Sequence, residues 1–132
     1  IGRIAASFGP RALLVTGNEG LRAHALRTSL EAAGVSIVSL RAIGEPTIAA
    51  AESGAAMVRG QDIACVIAIG GGSVIDTGKA IAALAANPGS ALDYIEVIGA
   101  GKPLSQPPLP FVAMPTTAGS GAESRARGFA SA

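Results

Sequence analysis

The stretch Ala64-Cys65-Val66-Ile67-Ala68-Ile69-Gly70-Gly71-Gly72-Ser73-Val74-Ile75-Asp76-Thr77-Gly78-Lys79 decides the fold. Its first six residues are an unbroken apolar run of strand length, the pattern of a strand buried on both faces. From Ser73 to Ala86 the sequence reads as a helix. Three glycines between a strand and a helix allow a tight turn with positive φ, and with no Cβ they let backbone approach a ligand closely. The first N–H groups of the helix have no intrahelical partner and sit at the positive end of its dipole. The ligand suited to such a turn is a phosphate or pyrophosphate. The turn also reads as purely structural, a tight connection with Ser73 as a helix cap, and the spacing is not the G-x-G-x-x-G of the common dinucleotide fingerprint.

Working outward, Arg11 to Thr16 is another short apolar run, ending at Gly17-Asn18, and reads as the first strand. Leu21 to Ala33 has apolar residues at Leu21, Ala25, Leu26, Leu30 and Ala33, a helical spacing, and Gly34 ends it. Val35 to Leu40 is a second strand. Thr47 caps a helix to Arg59 with Ile48, Ala51, Ala55 and Val58 on one face, closed by Gly60. Asn87-Pro88-Gly89 breaks the helix that Ser73 opens. Gly99 to Pro110 reads as a long loop, Phe111 to Met114 as a fourth strand stopped by Pro115, and Ser124 to Ala132 as an irregular tail. Strands alternating with helices predict an α/β fold: a mostly parallel, Rossmann-like sheet with helices on both faces. Ligands of such sheets bind at the carboxyl ends of the strands. Gly17-Asn18, Gly70 to Ser73 and Pro115 to Gly121 all fall at that edge.

Composition narrows the classes. With 132 residues, 49% of them apolar and 14% charged, the chain suits one domain with a sizeable core. Its net charge of +1 makes no case for nucleic acid or an acidic membrane surface. No apolar run reaches the roughly 20 residues of a membrane helix, and the start Ile1-Gly2-Arg3 does not resemble a signal peptide. The expected setting is cytoplasmic. A start without Met suggests a fragment. Cys65 reads as a core hydrophobe. His24 is the single histidine and reads as a surface or satisfied residue, and no cluster has metal-site spacing.

Two further features stay open from the residues alone. Asp76 and Lys79, three apart on one helix, form either a local pair at the helix start or groups directed into the crevice. Thr116-Thr117-Ala118-Gly119-Ser120-Gly121 offers hydroxyls and bare backbone to ribose, phosphate or an amide, and read alone it is a turn bonding its own backbone.

Together the two turns, Gly70 to Lys79 and Pro115 to Glu123, resemble the paired motifs of the iron-containing (group III) alcohol dehydrogenase family. The likeness extends back through Gly44-Glu45-Pro46-Thr47 and Val15-Thr16-Gly17. The resemblance implies an N-terminal domain over residues 1–123 that binds NAD or NADP, as in the N-terminal domain shared with dehydroquinate synthase. In that family a helical C-terminal domain supplies Asp and His ligands for iron or zinc. The metal polarises the substrate carbonyl while hydride passes between alcohol or aldehyde and nicotinamide. It further implies that Gly71, Gly72 and Ser73, with Val74, hold the pyrophosphate and that Asp76 lies beside the cofactor. Thr116 and Thr117 would contact its adenosine side. Some members carry Asp where Gly17 stands. Gly17 with Asn18 removes a carboxylate that would repel a 2′-phosphate, so NADP is expected to be accepted alongside NAD.

Measured against the family pattern, the chain stops before the helical domain, and Ser124-Arg125-Ala126-Arg127 replaces the usual Val-Thr and apolar strand. This chain alone is then expected neither to bind the metal nor to turn over, and to associate with itself through an apolar face left uncovered. Maleylacetate reductase-like and hydroxyacid-oxoacid transhydrogenase-like members are close variants. A non-catalytic nucleotide-binding or interaction module and a lyase of the dehydroquinate synthase type are the rivals. The serine of the glycine turn and the Thr-Thr-Ala-Gly-Ser-Gly turn favour the alcohol dehydrogenase branch over the lyase.

Overall fold

A computed structural model describes residues 1–17, 20–44, 47–87 and 107–116. The elements run α1 (Gly2–Phe8), β1 (Arg11–Thr16), α2 (Leu21–Ala32), β2 (Ser36–Arg41), α3 (Ile48–Gly60), β3 (Cys65–Gly70), α4 (Gly72–Ala86) and β4 (Phe111–Pro115). The four strands form one sheet in the order β2-β1-β3-β4, and every pairing is parallel.

The period-2 geometry of a strand sorts the core into two layers. Leu13 and Val15 of β1 and Val66 and Ala68 of β3 face Val58 of α3 and Ile75, Ile81 and Ala82 of α4. The alternate residues Ala12, Leu14, Cys65, Ile67 and Ile69 face Ala5 of α1 and Ala23, Leu26 and Leu30 of α2. The two central strands are therefore apolar throughout, and β2 at the edge is only half-buried. Burial raises the pKa of the Cys65 thiol, as an apolar slot disfavours the thiolate.

Helix α4 is seated closely on both sides. A Cβ at Gly78 would stand 2.9 Å from the Cβ of Ala68 in β3 and 3.0 Å from the Phe111 ring in β4. A Cβ at Gly54 of α3 would collide with Ile81 of α4. Glycine at both positions lets the helices approach.

Helix ends follow the sequence in two places. The Thr47 hydroxyl accepts from the Ala50 N–H at 3.0 Å and caps α3. Gly34, at φ 84°, closes α2, where its N–H and that of Val35 donate to Glu31 and Leu30 carbonyls.

Four readings are revised. Helix α1 carries no side-chain cap, and its buried residues are only Gly2 and Ala5, so it forms by docking on α2 and leaves no periodic signature. Ser73 is not a cap: α4 begins at Gly72, with Gly71 at the cap position and no side-chain bond there. Leu21 is 89% exposed rather than part of the apolar stripe of α2. It sits in the first turn, beyond the end of the sheet. Pro115 closes β4 from inside the strand, as an edge strand permits. The predicted tail and most of the predicted loop lie outside the described residues.

Candidate functional site

The carboxyl ends of the strands are brought level by the register, with Thr16 beside Arg41 and Ile69 and Gly70 beside Pro115. Two backbone bonds carry the pairing past the strands: the Ala42 N–H donates to the Thr16 carbonyl at 2.7 Å and the Thr116 N–H to the Gly70 carbonyl at 3.1 Å. The turns leaving β1, β2, β3 and β4 thereby open on one cleft of about 550 Å³, within the size range of small-ligand sites. Its floor is Gly17, Gly70, Gly71 and Val74, with Thr116 at one side. The β2 turn contributes Ile43 and Gly44, and the start of α2 contributes Gly20 and Arg22.

Val74 explains why two of these turns carry glycine. Gly70 has φ 155°, and a Cβ there would lie 2.9 Å from both Cβ and Cγ2 of Val74. A Cβ on Gly17 would lie 3.0 Å from Cγ2 of the same side chain. Gly71 differs: its φ is −80°, and a Cβ would meet nothing within 4 Å. The backbone at Gly71 faces open cleft.

Helix α4 starts at that opening. Its first internal bond runs from the Ile75 N–H to the Gly71 carbonyl at 3.1 Å. The N–H groups of Gly72, Ser73 and Val74 precede it and have no partner within the helix. No side chain caps them. Together with the helix dipole they favour an anion. The Thr77 hydroxyl turns the other way, donating to the Ser73 carbonyl at 2.8 Å.

The expected site residues fall into three groups. Gly17, Gly71, Val74 and Thr116 are gathered around the cleft, and Gly72 and Ser73 form the adjoining turn of α4. Asp76 lies a turn further along, half-buried, and is not among the residues lining the cleft. Burial lowers the pKa of Lys79 and the nearby charge of Asp76 opposes that shift, so these two groups feel each other, as the local reading of their spacing expects. Asn18 and Thr117 lie outside the described residues. Sequence reasoning did not single out Ile43, Gly44, Gly20 or Arg22 as site residues. The parallel order of strands was the signal available for Ile43 and Gly44, since it places the β2 turn on the same edge as the glycine turn.

Among the described residues no helix is long and apolar enough to cross a membrane. Among them, too, no group of three or more His, Cys, Asp and Glu side chains could hold a metal ion. His24 is exposed in the first turn of α2.

Known proteins share this architecture. The family model for iron-containing alcohol dehydrogenase matches residues 1–129. The mitochondrial hydroxyacid-oxoacid transhydrogenase of Caenorhabditis elegans is 42% identical over 86 residues, covering 62% of this chain and 18% of the relative. The choline dehydrogenase of Bacillus subtilis strain 168 is 36% identical over 96 residues, 72% of this chain and 24% of the relative. Among solved structures, the sulfoacetaldehyde reductase of Bifidobacterium kashiwanohense in complex with NAD+ superposes with a TM-score of 0.75. It is 29% identical, covering 93% of this chain and 33% of that one. The chain thus spans between 18% and 33% of the length of these relatives.

Proposed function

Because the chain belongs to the iron-containing alcohol dehydrogenase family, we propose that residues 1–123 are the nicotinamide-dinucleotide-binding domain of an oxidoreductase. The parent reaction would pass hydride between the nicotinamide and an alcohol or aldehyde. The observation that carries this reading is the uncapped start of α4 at an open glycine turn, set in the cleft at the carboxyl edge of a parallel sheet. The relative solved in complex with NAD+ supports the choice of ligand.

The residues fit a dinucleotide. A pyrophosphate accepts from the backbone N–H groups of Gly72, Ser73 and Val74, and Gly71 clears its approach. Gly70 and Gly17 keep the floor flat, because a Cβ at either would strike Val74. Gly17 and Asn18 are assigned to the adenosine ribose, and Thr116 and Thr117 to the adenosine side. The exposed side chains of Leu21 and Ile43 give a base ring apolar surface at the mouth. Asp76 keeps its assignment beside the cofactor at the start of α4, paired with Lys79. Bound there, the cofactor supplies the hydride chemistry. The chain's own residues bind and orient it.

The described residues do not fit an iron site, and no step is routed through the metal. Relatives named for a hydroxyacid and for choline match overlapping shares of this chain. What the residues here determine is capture of the cofactor, which such enzymes have in common.

Calorimetric titration of the 132-residue chain with NADH and NADPH tests the proposal. Saturable binding of at least one below about 1 mM is expected. No heat from either cofactor through that concentration overturns it.

A further inference from the structure

Beside the pyrophosphate turn, the cleft carries a second feature that the cofactor reading leaves unused. The Arg41 guanidinium at the end of β2 donates its Nε–H to the Gly17 carbonyl at 3.1 Å. This hydrogen bond crosses from β2 to the turn after β1 and holds the charged head beside Gly17. Arg22, in the first turn of α2, lines the cleft next to it. The start of α2 has Gly20 at its cap position and no side-chain bond there, so it too leaves the positive end of a dipole at the cleft.

The sheet order shows which part of a dinucleotide would lie here. In dinucleotide-binding folds the pyrophosphate sits on the glycine turn, and the ribose lies over the neighbouring strand end. An acidic side chain there takes the ribose 2′-hydroxyl, and an arginine accommodates a 2′-phosphate. The glycine turn of this chain follows β3, whose neighbour on one side is β1. The end of β1 is Gly17, without a side chain. Among the described residues of the β1 and β2 turns none is acidic, and the group that reaches Gly17 is Arg41. Glu19 and Glu45 follow in these turns in the sequence, and their charge is common to every cofactor compared.

Resting on the cofactor reading above, we infer that Arg41, aided by Arg22, forms a subsite for the 2′-phosphate of the adenosine ribose. The chain accordingly selects NADP(H) over NAD(H). Arginine suits this role because its planar fork donates two parallel bonds to a phosphate, which a lysine ammonium does not.

The test is the ratio of dissociation constants for NADH and NADPH, measured by calorimetry on the 132-residue chain, its Arg41→Gln variant and its Arg41→Lys variant. The unsubstituted chain is expected to bind NADPH the more tightly. Arg41→Gln should weaken NADPH by about 10- to 100-fold, the loss of one charge-assisted contact, and NADH by far less. Arg41→Lys should recover only part of the difference. Arg41 is exposed, and NADH affinity in each variant reports whether the rest of the cleft is intact. Equal affinities for the two cofactors, or a ratio unmoved by Arg41→Gln, overturn the subsite and leave the cofactor reading standing. Failure of both cofactors to bind the unsubstituted chain overturns that reading and the subsite with it.

Discussion

Helices α3 and α4 both begin at the carboxyl edge of the sheet, and they begin differently. At α3 the Thr47 hydroxyl accepts from the Ala50 N–H at 3.0 Å, so the helix answers part of its own need. At α4 the cap position is Gly71, and nothing on the chain reaches the next N–H groups. An unfilled cap costs stability of the order of 1 kcal/mol relative to Ser, Thr or Asp. One helix end is finished by its sequence, and the other is left for something to arrive. The lesson is that a glycine start facing a cleft and a threonine start facing solvent are different devices, although both end a turn and open a helix.

That contrast breaks most severely at Gly70. Its φ of 155° and its 2.9 Å approach to Val74 leave no place for a side chain. Gly70→Val should cost about 3 kcal/mol, measured as a lowered urea midpoint, and abolish cofactor binding. A stable, binding-competent variant would show that the turn is not held by Val74. Gly71→Asp should make α4 resemble α3. The backbone and the space at Gly71 tolerate a side chain, so thermal unfolding should show stability unchanged or raised by a few tenths of a kcal/mol. Cofactor affinity should fall about tenfold or more, because the new carboxylate stands where the pyrophosphate belongs. Unaltered affinity would place the anion elsewhere. The mildest change is Thr47→Ala. It should cost about 1 kcal/mol in denaturant titration and leave cofactor affinity alone, since Thr47 is not among the residues lining the cleft. A matching loss of affinity would erase the distinction between the two helix starts.

The parts of the fold legible in the sequence are those settled by local chemistry. Arg11 to Thr16 and Cys65 to Ile69 are apolar because both faces of β1 and β3 are covered, and such runs are readable without knowing what covers them. Thr47 and Gly34 act within their own turns. Helix α1 was not legible because its seven residues have neither cap nor stripe and are held by contact with α2. Ser73 misled for a related reason. Serine favours cap positions in general, and here the backbone enters the helix two residues earlier, at Gly71.

In the candidate site, Gly17, Gly71, Val74 and Thr116 were accessible from order alone, since parallel strands put their following turns on one edge. Arg41 was not, because its meeting with Gly17 requires β2 to lie beside β1. Arg22 and Ile43 likewise depend on which neighbours the sheet gives them.

The close seat of α4 against β3, β4 and α3 has a mechanical consequence. Positions 54 and 78 leave no slack for the helix to tilt or slide, so one jaw of the cleft is a fixed anvil. Any fitting to a guest falls to the opposite jaw, built from the turns after β1 and β2. That jaw also carries the arginine at Gly17, so the part free to adjust is the part with a charge to aim.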